Sequence, residues 1–176
     1  MLASAVPTPA TEQVLAPGAL DGVRIGYPAD AKQASRVADR AAQLGAEIIE
    51  LAESDYPNQL EVVIATADGS AELANGLDKA WEIARTAANQ SMIPHNAGLV
   101  LLLAPRAGNP DAAALHGAVE NLARVLSIEW SQYKLRAVAV LPGEQTTDAE
   151  LAELCSYLAS PAATYFSGCA FKLGAL

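Results

Sequence analysis

The chain is poor in positive charge, cysteine, histidine, aromatic residues and long apolar runs, and each shortage excludes something. Its 11 Lys and Arg stand against 20 Asp and Glu, a formal net charge of -9. A nucleic-acid surface needs clustered Lys and Arg, so a nucleic-acid partner is not expected. Cys155 and Cys169 are too few for a disulfide framework, and with His95 and His116 they show no metal-ligand spacing. The longest apolar run, Leu99 to Ala104, falls far short of the ~20 residues that span a bilayer, so no membrane partner is expected. No basic residue precedes Arg24 and the N-terminus has no continuous apolar core, which speaks against a secretory signal and for a cytoplasmic protein. What the chain does have is apolar bulk. Hydrophobic residues make up 52% of its 176 residues, and about a fifth of the chain is alanine. That is enough for one domain with its own core and closely packed helices.

Residues 1–18 are rich in Pro, Ala and Thr without an apolar period and are expected to form a flexible N-terminal arm. Residues 19–176 read as a single domain in which short apolar runs alternate with helical patterns. The expected strands are Val23–Tyr27, Ala46–Leu51, Leu60–Ala67, Gly98–Ala104, Leu135–Leu141 and Cys169–Leu173. The expected helices are Asp30–Leu44, closed by Gly45, then Ser70 to about Met92, then a helix opened by Asn109-Pro110 and running to about Trp130. Thr147 and Glu150 have capping-box spacing ahead of Leu151, Leu154 and Leu158. Strands separated by helices of this length require parallel crossovers, hence a doubly wound, mostly parallel α/β sheet of about six strands.

In the second half the residues say more. Gly98–Ala104, Leu115–Trp130, Leu135–Gly143 and Leu158–Cys169, in that order, resemble the short-chain dehydrogenase/reductase family. The resemblance implies a Rossmann sheet that binds NAD or NADP, oligomers, and hydride transfer with a Ser, a Tyr and a Lys at the carbonyl. The first half is similar only in layout. Between the second strand and Leu60 only a short connection remains, so the family's third-strand region reads as deleted.

The residues that carry the family's chemistry are replaced. The glycines of its cofactor loop let backbone approach a pyrophosphate at a helix N-terminus. Counted back from Gly45, their positions fall on Pro28, Lys32 and Ala34; a gap could put Gly26 at the first of them. Asp30 adds a negative charge to the same turn. Counted from Gly117-Ala118-Val119, the Tyr position is Ala112 and the Lys position is His116, and the Ser position falls at Ala104. An alanine side chain neither donates nor accepts a proton. Pro142-Gly143 remains from the nicotinamide side, and that pair also serves as an ordinary strand-ending turn. Tyr133-Lys134 are adjacent and cannot share a helical face, Cys155 and Cys169 read as small core residues, and Asp148, Glu150 and Glu153 suit a helix start.

What remains favours association. In the family, the helices corresponding to 70–92 and 109–130 pack against those of a partner subunit. Leu115, Val119, Leu122 and Leu126 form an apolar stripe here, flanked by Trp81 and Trp130, and the stripe can serve as core, as interface, or as both on different faces. The expectation is a catalytically silent subunit that pairs with itself or with an active relative and needs no cofactor. Two alternatives stay open: an NAD(P)-dependent oxidoreductase with atypical cofactor binding or a role for His116, and a binding module for an acyl-type small molecule.

Overall fold

Gly45 ends the first helix as a left-handed residue at φ 99°. The N–H of Gly45 bonds to Ala42 O and that of Ala46 to Ala41 O, so the chain leaves the helix in a Schellman turn and re-enters the sheet at once. The same economy of turns holds elsewhere. In the computed structural model, which describes residues 15–52, 56–67, 73–108 and 111–174, the strands are β1 (Arg24–Pro28), β2 (Glu47–Leu51), β3 (Val62–Thr66), β4 (Gly98–Leu103), β5 (Leu135–Pro142) and β6 (Cys169–Leu173). The helices are α1 (Lys32–Gln43), α2 (Leu73–Ala87), α3 (Ala112–Glu129) and α4 (Asp148–Ala159).

The sheet has six strands in the order β2-β1-β3-β4-β5-β6, and every neighbouring pair is parallel. Parallel strands covered on both faces must be apolar throughout, and β3, β4 and β5 are buried along nearly their whole length. The edge strands β2 and β6 are half-buried, with Glu47, Glu50 and Lys172 exposed. This is the α/β architecture the alternation of runs implies.

Two cores lie on opposite faces. On one, Ala34, Val37, Ala38 and Ala41 of α1 and Leu151, Cys155 and Leu158 of α4 pack against Ile25, Ile64, Leu101 and Val138 of the sheet. On the other, Ala80, Ala84 and Ala87 of α2 and Leu115, Val119, Ala123 and Leu126 of α3 cover Val63, Val100, Leu102 and Ala139. Alanine-rich helix faces let helix and sheet approach closely, which is where much of the alanine goes. Leu15, inside the expected arm, is buried on the α1 face.

α4 opens with the capping box its sequence announces. Thr147 Oγ1 accepts from Glu150 N at 3.2 Å, and Glu150 Oε2 accepts from Thr147 N at 2.8 Å. α1 begins at Lys32 rather than Asp30, because Pro28 to Ala31 form a turn closed by Ala31 N to Pro28 O. The expected caps Ser70 and Asn109-Pro110 lie outside the described residues. α2 widens at its end into a π turn, Ala88–Met92, in which the buried Ser91 hydroxyl donates to Pro57 O at 2.5 Å. Tyr56 packs on the same core, so the connection from β2 to β3 runs over the α2 face, with no helix among its described residues.

Candidate functional site

Doubly wound sheets bind ligands outside the carboxyl ends of their strands, where the strand order reverses. Here that point lies between β1 and β3. The chain after β1 passes to α1 on one face, and the chain after β3 passes to α2 on the other.

The turn after β1 is filled by side chains. Pro28 is buried and has no N–H to offer, and Ala34 is fully buried against the α1 core. Gly26 is not a loop glycine: it lies inside β1, where an added Cβ would come within 2.9 Å of both Leu51 and Leu60. Lys32, at the first position of α1, is exposed and lines a shallow groove of about 540 Å³ with Gln33, Arg36, Asp39 and Asp148. Asp30 is engaged by Lys79 Nζ at 2.5 Å. Because Lys79 belongs to α2, this ion pair joins the two helical layers near the reversal point. A pyrophosphate held as in a glycine-rich loop does not fit these residues: bare backbone is absent, and the one carboxylate of the turn would repel it.

The positions that would hold a triad are equally plain. Ala104 follows β4 fully buried, and Ala112 is buried in the first turn of α3. His116 shares a helical face with Ala112, and its Nε2 lies 2.8 Å from Pro105 O. A carbonyl only accepts, so Nε2 carries the proton and the ring ties α3 to the loop after β4. Two methyl groups and a histidine bound to its own backbone make no acid–base relay. Pro142-Gly143 has a packing reason of its own. Gly143 N donates to Leu173 O at 2.8 Å, and a Cβ at this position would lie 2.5 Å from that same oxygen.

The remaining candidates resolve into structure. Asp148 takes Arg106 at 2.5 Å and Arg36 at 3.9 Å, Glu153 takes Arg40 at 2.6 Å, and Glu150 serves the cap. Burial pushes the Cys155 thiol up to about 12, and burial also raises that of Cys169 on β6, so neither is poised as a nucleophile. His95 Nδ1 sits 3.2 Å from Ser91 O.

The helices tell a different story. Leu115, Val119, Leu126 and Trp130 turn inward and are buried in the chain's own core. Trp81 and Leu122 are half-buried, and Trp81 stacks on Trp130 with centroids 6.2 Å apart and planes 17° apart, closing α2 onto the end of α3. The surface that α3 offers is the opposite row, Ala114, Ala118, Asn121, Val125 and Ile128, where Ile128 is 75% and Val125 39% exposed. The spacing of that row was visible in the sequence as a second i, i+4, i+7 pattern behind the leucine stripe.

No family model matches the chain, and no curated protein matches it in sequence. Solved structures do. A citronellol catabolism dehydrogenase of Pseudomonas aeruginosa superposes with a TM-score of 0.71 at 17% identity, covering 92% of this chain and 97% of its own. A 3-ketoacyl-(acyl-carrier-protein) reductase of Brucella melitensis, solved with NADH, gives 0.67 at 15% identity over 86% and 96%. A hydroxysteroid dehydrogenase of Escherichia coli gives 0.64 at 16% identity over 88% and 96%. The chain therefore has the short-chain dehydrogenase/reductase fold. No described helix is long and apolar enough to cross a membrane.

Proposed function

We propose that this chain is a catalytically silent subunit with the short-chain dehydrogenase/reductase fold. It assembles through the outer surface of α2 and α3, with a second copy or with an active relative. One observation carries the reading: α3 is retained whole with an apolar row facing outward, while the positions for chemistry around its start hold Ala104, Ala112 and a histidine spent on Pro105 O. Val125 and Ile128 are exposed and Leu122 and Trp81 only half-buried, a surface that gains by being covered. The open Cβ position at Gly117 leaves room for another backbone to approach α3. No nicotinamide nucleotide is part of this function, since Pro28, Asp30 and Ala34 oppose one.

The test is sedimentation of the purified chain beside Ile128→Glu. The wild type is expected to be dimeric, or to form a stoichiometric complex with a short-chain dehydrogenase of its host. Ile128→Glu is expected to be monomeric with an unchanged far-UV circular dichroism spectrum. A wild-type chain that stays monomeric and recovers no such dehydrogenase overturns the reading. Saturable quenching of NADH fluorescence would favour an atypical oxidoreductase in its place.

A further inference from the structure

At the end of the sheet opposite the reversal-point crevice, the amino ends of β1, β3, β4 and β5 border an open groove of about 450 Å³. Its lining includes the apolar Val23, Ala97 and Pro161, with Leu60 and Val62 buried beneath, and the cations Lys134 and Arg136. Arg136 is half-buried, and burial lowers its pKa. No carboxylate lies within ion-pair distance of it among the described residues. Its Nη1 donates to Ala163 O at 2.9 Å and Phe166 O at 3.4 Å, which answers carbonyls but leaves the charge unmatched. Glu61, the only carboxylate among the described residues that line the groove, is already held by Arg24 through N at 2.9 Å and Nε and Nη2 at 3.2 Å, and by Gln59 at 2.7 Å.

A second, independent observation concerns the backbone. Among the described residues, Asn96 (φ 51°) and Lys134 (φ 56°) are the non-glycine residues in the left-handed region, and both line this groove. Asparagine adopts that conformation readily, whereas lysine does so under strain that glycine would relieve. The Lys134 ammonium makes no hydrogen bond or ion pair among the described residues. A lysine in the left-handed region beside a half-buried arginine with no counter-ion among the described residues is the pattern of a site that keeps an unfavourable residue for its charge.

We propose that this groove binds a small carboxylate with a short apolar tail, the carboxylate against Lys134 and Arg136 and the tail along Val23, Ala97 and Pro161. The site is separate from the α2/α3 surface and stands whether or not the chain associates.

Hexanoate titrated into the isotopically labelled full chain is the test, with hexylamine and inorganic phosphate as parallel arms read by amide NMR shifts. Hexanoate is expected to saturate at millimolar concentration and to move Lys134, Arg136 and Ala97, while hexylamine moves none of them. Arg136→Gln should weaken hexanoate by about tenfold, as loss of a charge-assisted hydrogen bond does. Because Arg136 also holds two carbonyls, Lys134→Gly is the cleaner variant: it should melt higher than wild type and yet bind hexanoate several-fold more weakly. Absence of saturation, or unchanged affinity in Lys134→Gly, overturns the proposal. Equal binding of phosphate removes the requirement for an apolar tail and overturns the ligand class.

Discussion

The two helical layers of this molecule bury similar residues inward and finish their outer faces differently: both carry ion pairs, among them Arg85–Glu82 and Arg124–Glu120 on α2 and α3, but α3 adds the exposed apolar pair Val125 and Ile128. On the α1/α4 side, the outer positions are Lys32, Arg36, Asp39, Asp148 and Glu150, and the seam between the helices is an ion pair, Arg40 to Glu153, at 2.6 Å. On the α2/α3 side, the seam is a pair of stacked indoles, and the outer row of α3 runs through alanine, asparagine, Val125 and Ile128. A helix that must only cover a sheet can be charged on its far side at no cost to the fold. One that keeps apolar residues there invites a second surface. The contrast sets the residues buried in the chain's own core against an outer row that this core does not use.

The strongest way to sharpen the contrast lies within α3 itself. Leu126 and Val125 are neighbours in sequence and opposites in space, one fully buried and the other exposed. Leu126→Ala removes a core side chain and should cost about 2–5 kcal/mol. Val125→Ala touches little within the chain and should stay within about 0.5 kcal/mol. Urea denaturation of the two variants, run at a concentration where the chain is monomeric, measures both. A cost at Val125 comparable to that at Leu126 would mean that the outer row is part of the fold after all.

A smaller effect is expected at the seam of the other layer. The Arg40 and Glu153 side chains are 15% and 24% exposed, and each leaves one buried polar atom without a partner. Removing Arg40 strands a carboxylate that is mostly out of water, so Arg40→Ala should destabilise by about 2 kcal/mol. Replacing both residues with Leu should recover most of that loss, since such a pair tends to balance its own desolvation. If Arg40→Ala is silent, the ion pair is a surface ornament and the α1/α4 layer is held by its apolar residues alone.

These variants also mark where the sequence could be read and where it could not. Gly45, the Thr147–Glu150 box and Cys169–Leu173 were legible because each is settled by neighbours a few residues away: a left-handed turn, a reciprocal hydrogen bond, an apolar run. Leu115, Val119, Leu126 and Trp130 were legible as a stripe but not as inward-facing, because a periodic apolar row looks the same whether a sheet or a partner covers it. Asp30 with Lys79, 49 residues apart, and Arg40 with Glu153, 113 apart, exist only once the sheet order is known. Lys134 carried no signal in its residue type, since its strain belongs to the backbone. The candidate site at the reversal point was readable mainly as replacement, with alanine and proline standing at the positions that the resemblance assigns to the family's chemistry.

The gentlest probe of the contrast is acid, because α4 opens on an ionised capping box. Backbone and side-chain hydrogen bonds from Thr147 hold the Glu150 carboxyl below its ordinary value. A carboxyl depressed in the folded state contributes its full stabilisation above the unfolded pKa of about 4.3, and loses it as the pH falls through the lower folded value. The Glu150 carboxyl carbon, followed by NMR, should therefore titrate at a lower midpoint than a model peptide, with the Thr147 amide resonance tracing the same curve as the box opens. The indole resonances of Trp81 and Trp130, which have no carboxylate in their stack, should stay still over that window. An ordinary midpoint for Glu150 would show that the box adds nothing to the start of α4. Indoles that move together with Glu150 would show that the two layers are coupled through the sheet rather than separately finished.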